Sequence, residues 1–239
     1  MGERLRLDKL LADTGRWSRR EVKELIRQGR VTVNGQAARG PEEKYEAGCA
    51  ALAVDGLPVL WEPFTWLMLH KPAGLLSATE DRRQATVLDL LPEHLRRLEL
   101  FPVGRLDKDT TGLLLLTNDG AWAQHLLHPK HEVEKTYHVS VFGPVAGAAA
   151  RLAAVTDLEG ESIRPARVEV LRKTPGTAVL AVTIHEGKNR QVRRMCAQCG
   201  LTVKRLRRVR EGALELGDLP PGKWRYLTQD EAGALGVTP

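Results

Sequence analysis

Residues 104–120 read GRLDKDTTGLLLLTNDG, with two carboxylates, Asp107 and Asp109, placed just before four consecutive leucines, Leu113–Leu116. The leucine run reads as a fully buried strand. Asn118-Asp119-Gly120 after it reads as a tight turn, because these residue types tolerate positive φ. The carboxylates then sit in a short polar loop at the mouth of a core strand, which can hold a reactive group in fixed geometry. Taken alone, an Asp-x-Asp pair is a turn closed by its own side chains. Asp107, Asp109 and Gly112 also fall at the first, third and sixth positions of a calcium loop. That loop needs a bidentate Glu at its last position, where Asn118 stands, and a helix where the leucine strand follows. Calcium is rejected.

Other chemistries have weaker footing. Cys196-Ala-Gln-Cys199 is a CxxC, but only Cys49 remains and no His pair is near, so a tetrahedral zinc site lacks ligands. The pair ends a helical stretch, QVRRMCAQCG, in which Met195 and Cys199 share a face, and packing is the expected role. The chain has no HExxH, no GxSxG and no phosphate loop, so metal, serine-hydrolase and nucleoside-triphosphate chemistry find no support.

A chain of 239 residues with 42% hydrophobic content can build one or two domains around an aliphatic core, since aromatics make up only 5%. Leu5, Leu7, Leu10 and Leu11 form a helical stripe ended by Gly15. Ser18 and Glu21 form a capping box for a second helix with Val22, Leu25 and Ile26 on its buried face, stopped by Gly29. Val31–Val33 is a strand and Asn34-Gly35 a hairpin turn. Residues 37–62 read as irregular, with a strand pair at Ala51–Val54 and Leu57–Leu60. Trp61-Glu62-Pro63 separates a first domain, 1–62, from a second, 63–239. In the second, strands at Trp66–Leu69, Leu113–Thr117, Tyr137–Phe142, Ala166–Arg172 and Ala178–His185, with a short helix at Val87–Leu91, outnumber helices. The expected class is α+β, around a mainly antiparallel sheet.

The formal net charge is +6, which points to polyanion partners. Between Arg4 and Arg30, nine Lys or Arg face four Asp or Glu. Arg16, Arg19, Arg20, Lys23, Arg27 and Arg30 lie off the apolar stripe and are read as one RNA-binding surface rather than a solvated helix face. A second run, Lys188 to Arg210, holds nine Lys or Arg and no acid. Such repulsion is relieved by a polyphosphate backbone, so Lys188, Arg190 and Arg194 are read as RNA contacts. The charged N-terminus has no apolar leader and no stretch is long enough to span a bilayer, giving the expectation of a soluble cytoplasmic protein with no membrane partner.

Two resemblances sharpen this. RLDKLLA with SRREVKELIRQGRVTVNG, over about residues 4–36, resembles a small RNA-binding module first seen in a small-subunit ribosomal protein, which implies phosphate contacts to structured RNA. GRLDKDTTGLLLLTNDG, LMLHKPAGLLSATED, EKTYHV and IHEGKNRQVRRM together resemble the pseudouridine synthases, specifically the branch modifying single ribosomal-RNA uridines. That resemblance implies isomerisation of uridine to its C-glycoside without cofactor or metal, by a monomer acting on ribosomal RNA, free or in a small-subunit assembly particle. It makes Asp107 the catalytic carboxylate, as nucleophile or base, and Arg193 the basic residue paired with it. Tyr137 becomes the tyrosine stacked on uracil, Arg105 the side chain beside the flipped base, Leu206 an apolar pocket wall, and Lys71-Pro72 a support for the loop. Asp109 is expected to hold the loop by local hydrogen bonds. RLDKLLA, LLSATED and EKTY favour a small-subunit target; RQVRRM and the NRQ before it also suit large-subunit relatives.

Overall fold

The computed structural model describes residues 3–235. They divide into two compact units: residues through Thr65 together with Leu91–Leu100, and Trp66–Leu90 with Phe101 onward. The segment Leu91–Leu100 therefore groups with the first unit although it falls inside 63–239.

In the first unit, β1 (Arg4–Arg6) leads into α1 (Leu7–Ala12), and α2 spans Arg19–Arg27. Ser18 Oγ accepts from the Glu21 amide at 3.2 Å while the Glu21 carboxylate accepts from the Ser18 amide at 2.6 Å, the reciprocal cap expected. Strands β2 (Val31–Val33), β3 (Gln36–Ala37), β4 (Lys44–Glu46), β5 (Leu52–Val54) and β6 (Leu57–Val59) follow, and α3 (Glu93–Arg96) completes the unit. Asn34 and Gly35 both take positive φ, 52° and 78°, as a tight β2–β3 turn requires. The helical stripe begins two residues later than the sequence suggests. Leu5 is buried as expected, but on a strand, because Arg4–Arg6 pairs with Lys44–Glu46 across a stretch read as irregular.

The second unit is built on a nine-stranded sheet. Its strands are β7 (Trp66–Lys71), β8 (Phe101–Val103), β9 (Thr111–Thr117), β10 (Lys135–Phe142), β13 (Arg167–Thr174), β14 (Thr177–Ile184), β15 (Thr202–Glu211), β16 (Leu214–Glu215) and β17 (Trp224–Tyr226). A small separate hairpin, β11 (Asp157–Leu158) with β12 (Glu161–Ser162), precedes β13. Helices α4 (Gly120–Leu127), α5 (Ala148–Ala153), α6 (Gln191–Gln198) and α7 (Gln229–Gly233) complete the unit. The main strand order is β13-β14-β10-β15-β9-β7-β17. Among the described residues its ladders are antiparallel except β15–β9, which runs parallel through Arg207–Thr111 and Arg208–Gly112. The α+β class with a mainly antiparallel sheet holds, with Leu113–Leu116 fully buried in β9 as the leucine run implied.

Two local expectations change. Asn118-Asp119-Gly120 is no hairpin turn: none of the three has positive φ, and Asp119 Oδ1 accepts from the Trp122 amide at 3.0 Å to cap α4. That cap roots a helix whose Trp122 is buried and donates its indole N–H to Ala232 O at 3.0 Å. The basic run 202–211 forms β15, the longest strand, which no alternation announced. Two bulges explain why: pairing with β10 shifts between Arg205 and Val203 and again between Arg208 and Arg210, breaking the period of two.

Candidate active site

The loop carrying Asp107 is held from below by the HKPAGLLS segment. Lys71, wholly buried, donates from Nζ to Pro72 O at 3.1 Å, Lys108 O at 3.2 Å and Thr110 O at 3.0 Å. The Gly74 amide also donates to Lys108 O at 2.8 Å. Ser77 Oγ donates to Leu106 O at 2.9 Å and accepts from the Leu106 amide at 3.1 Å. The Leu106 amide and the Leu106, Lys108 and Thr110 carbonyls are thereby paired, a task that polar side chains such as lysine and serine can do and apolar ones cannot.

Burial pulls the Lys71 ammonium down to about 8 from its ordinary value, against the opposing charges of Asp109 and Asp107. A cationic group depressed in the folded state releases its proton earlier than in the unfolded chain. Below pH 8 both states carry the proton and the folded state bears the burial cost; stability then rises as pH climbs towards 10.5. Lys71→Met should abolish this increment and take one donor from each of three carbonyls, of which Lys108 O keeps the Gly74 amide. We expect the wild-type unfolding free energy to gain up to about 3 kcal/mol on the variant's between pH 8 and 10. A difference flat or falling over that range in chemical denaturation contradicts the assignment.

The far end of the loop is fixed by Gly112. Its φ is +110°, and a Cβ there would lie 2.1 Å from the carbonyl oxygen of Arg208. Only glycine permits β9 to start flush against β15. On that strand Arg208 is buried, donates from Nε to Leu113 O at 2.7 Å, and has Nη2 3.1 Å from Glu211 Oε2, an ion pair outside hydrogen-bond geometry. Burial raises the Tyr137 phenol above its ordinary range, and the Arg208 charge opposes the shift. The ring is thus kept neutral.

Above the loop stands α6. Gln191 fixes its start, donating to Glu186 Oε1 at 2.9 Å and accepting from the Lys188 amide at 3.1 Å. Arg190 takes left-handed φ, 49°, at the helix cap. Two arginines converge on Asp107 Oδ2: Arg190 Nη1 donates to it at 3.4 Å and Arg193 Nε lies at 3.6 Å. Arg193 also reaches Asp109 Oδ2 at 2.9 Å and Thr110 Oγ1 at 3.4 Å. Asp109 therefore steadies the loop through Arg193, and not by the local hydrogen bonds expected. Asp107 Oδ1 has no protein partner among the described residues, so one carboxylate oxygen is available for chemistry.

A small cleft open to solvent is lined by Arg105, Asp107, Tyr137, Leu206 and Ile184, among others. Four of the five central residues expected from the sequence line it, and Arg193 reaches Asp107 from α6. Arg105 is exposed and has no hydrogen bond or ion pair among the described residues. The arrangement offers a fixed carboxylate, a neutral aromatic ring and apolar walls, suited to work on a planar polar ring at an anionic oxygen.

The basic residues divide less neatly. In the first unit Arg27 is paired with Glu24, and Arg30 forks onto Asp55 at 2.6 and 2.7 Å. Among the described residues Arg16, Arg19, Arg20 and Lys23 form no ion pair, although Arg19 and Lys23 help to hold the Asp8 carboxyl below its ordinary range. The run Lys188–Arg210 is mostly neutralised by the fold. Arg194 binds Glu159 and Glu161 of the β11–β12 hairpin at 3.1 and 2.9 Å, making it a structural tie and not a free RNA contact. Lys188 pairs with Glu161 at 3.2 Å, Arg190 and Arg193 with the loop aspartates, and Arg210 with Glu134 at 3.4 Å. Sequence-local charge missed these partners because they arrive from distant strands. Cys196 is buried and its thiol is pushed up to about 12 by burial, consistent with packing.

With this geometry in view, the comparisons with known proteins converge. A family model described as RNA pseudouridylate synthase matches residues 65–198, more than half the chain, and the S4 domain model matches residues 5–48. The chain is 43% identical to an uncharacterised RNA pseudouridine synthase of Bacillus subtilis (strain 168), over 97% of this chain and 98% of that one. It is 40% identical to the ribosomal large subunit pseudouridine synthase B of the same organism (96% and 95% covered). It is 39% identical to the ribosomal small subunit pseudouridine synthase A of Vibrio vulnificus (strain CMCP6), with 97% and 99% covered. A crystal structure of a pseudouridylate synthase superposes with a TM-score of 0.66 at 33% identity, covering 97% and 99%. The chain belongs to the RNA pseudouridine synthase family: it is an RNA-modifying isomerase with an N-terminal S4 RNA-binding domain.

Proposed function

We propose that this enzyme converts one uridine of small-subunit ribosomal RNA to pseudouridine, with Asp107 as the reacting carboxylate. The observation that carries this reading is the convergence of Asp107, Tyr137, Arg105 and Leu206 on one cleft, with Arg193 gripping the carboxylate from α6. The target uridine must leave its stack to enter. Arg105, which is exposed, holds the nucleotide out, and Tyr137 stacks on the uracil. The free Oδ1 of Asp107 acts on the ribose as nucleophile or base. The glycosidic bond breaks, the uracil turns, C5 bonds to the sugar, the hydrogen displaced from C5 leaves as a proton, and N1, freed from the sugar, takes one up from solvent. Leu206 and Ile184 keep water from the broken bond. Arg193 Nε, buried and 3.6 Å from Oδ2, closes on the carboxylate when substrate fills the cleft. No cofactor or metal enters this scheme.

The small-subunit target rests on RLDKLLA, LLSATED and EKTY. The large subunit is the second reading, favoured by NRQVRRM and by the 40% identity to a large-subunit synthase. The same reading makes the protein a cytoplasmic monomer, acting on RNA free or within an assembly particle. Among the described residues no helix is long and apolar enough to cross a membrane. Transcripts of each ribosomal RNA labelled with tritium at uridine C5 test the proposal. One equivalent released from the small-subunit transcript alone is expected. Release from the large-subunit transcript alone overturns the target, and release from neither transcript, free or assembled into particles, leaves an RNA binder.

On the S4 domain, the four cations that form no ion pair among the described residues are the ones available to phosphates. Replacing Arg16, Arg19, Arg20 and Lys23 by Gln should flatten the slope of log affinity against log salt by about 3 to 4, at about 0.9 per phosphate contact. An unchanged slope in filter binding would show that the domain contacts RNA elsewhere.

A further inference from the structure

Strands β13, β14, β10 and β15 carry their side chains in rows across two faces of the sheet. Tyr137 and Leu206 belong to the face that lines the cleft. On the other face Glu169, Ala181, His138 and Arg207 form one row, and Arg172, Val179, Ser140 and Arg205 the next. This second face is open: His138, Arg172 and Arg205 are exposed, and Phe142 is 40% exposed. The bulge that hid β15 from the sequence pattern makes Lys204 the extra residue and brings its Nζ to 5.6 Å from the Phe142 ring centroid.

The charges here differ from those around the cleft. Arg172, Lys204, Arg205 and Arg207 have no acidic partner among the described residues, whereas Arg193, Arg194, Arg208 and Arg210 all do. Arg207 further carries a buried Nε with no acceptor. The one carboxylate in these rows, Glu169, lies 3.8 Å from Arg167 at the sheet edge. Four unneutralised cations and an exposed aromatic ring on one pleated face, with Lys204 over the ring, are complementary to a strand that offers phosphates and unstacked bases together.

We propose that this open face is a second RNA-binding surface, taking a single-stranded stretch of the substrate RNA outside the target nucleotide, with phosphates on Arg172, Lys204, Arg205 and Arg207 and a base on Phe142. The proposal rests on the enzyme's RNA substrate and not on the role of Asp107, so its failure would leave the catalytic reading intact.

The test is a triple variant, Arg172→Gln with Lys204→Gln and Arg205→Gln, which leaves the half-buried Arg207 in place and touches nothing in the cleft. Full-length enzyme is titrated with full-length small- and large-subunit ribosomal RNA transcripts by filter binding across a KCl series. The slope of log affinity against log salt should fall by about 2 to 3, at about 0.7 to 0.9 per lost phosphate contact. Affinity at fixed salt should weaken about tenfold or more, with the single-turnover rate at saturating RNA within twofold of wild type. Phe142→Ala should weaken binding at least fivefold while leaving the slope unchanged, since stacking carries no counterion release; about 1 to 3 kcal/mol per stacked base is the usual scale. Slope and affinity unchanged in the triple variant overturn the proposal. So does normal binding to naked transcript with lost binding to ribosomal particles, which would assign the face to a protein partner.

Discussion

Asp107→Asn should lower turnover by at least about 10³-fold while leaving RNA affinity within threefold of wild type. Asn keeps the volume and the loop conformation but removes the charge and the reactive oxygen. The loop should survive the change. Arg193 retains its 2.9 Å contact with Asp109, and Lys71 retains its three carbonyls. The lost ion pairs are long, at 3.4 and 3.6 Å, and Asp107 is partly exposed, so the stability penalty should stay near about 1 kcal/mol. The measurement is tritium release under single-turnover conditions, with thermal unfolding on the same preparation. A variant within tenfold of wild-type turnover would remove Asp107 from the reacting position.

Gly112→Ala should destabilise the chain strongly. The new Cβ would meet backbone atoms of Arg208 at 2.1 and 2.6 Å, and the position holds φ +110°, where an L side chain is strained. Neither neighbour can yield: β15 is pinned there by Arg208 to Leu113 O and by pairing with β10. The expected cost is about 4 kcal/mol or more, a fall in melting temperature of about 8–16 °C for a chain of this size. Because Gly112 ends the Asp107 loop, activity should fall with stability. A soluble variant melting within about 3 °C of wild type would show that β9 and β15 can separate there.

The two effects explain the opening motif. The leucines of GRLDKDTTGLLLL form the rigid core strand, the glycine lets that strand begin against β15, and the two aspartates share one arginine. Leu113–Leu116, the Ser18–Glu21 cap and the Asn34-Gly35 turn were legible because their causes are local: burial of an apolar run, reciprocal capping, positive φ. What the sequence hid was non-local. The partner of Arg4–Arg6 lies some forty residues on, and Asp119 caps a helix whose need for a cap is set by the burial of Trp122. β15 escaped notice because its bulges break the alternation that marks a strand.

The charge run 188–210 shows the same limit from another side. Counted along the chain it is uniformly basic; in the fold, Glu134, Glu159, Glu161, Glu211 and the loop aspartates neutralise most of it. Arg190 and Arg193 were thereby drawn to the carboxylate, and Arg194 to a hairpin. Arg193 was found through the family resemblance. The approach of Arg190 to Asp107 was not, because it depends on a left-handed backbone turn at the start of α6 that no residue type there announces.

The most direct test of the central claim is pseudouridine mapping, by carbodiimide modification and primer extension, on both ribosomal RNAs from wild-type cells and cells lacking this protein. The account predicts one site lost from small-subunit RNA, restored by the wild-type chain and not by Asp107→Asn. An unchanged set of pseudouridines in both RNAs, or restoration of a lost site by Asp107→Asn, would contradict it.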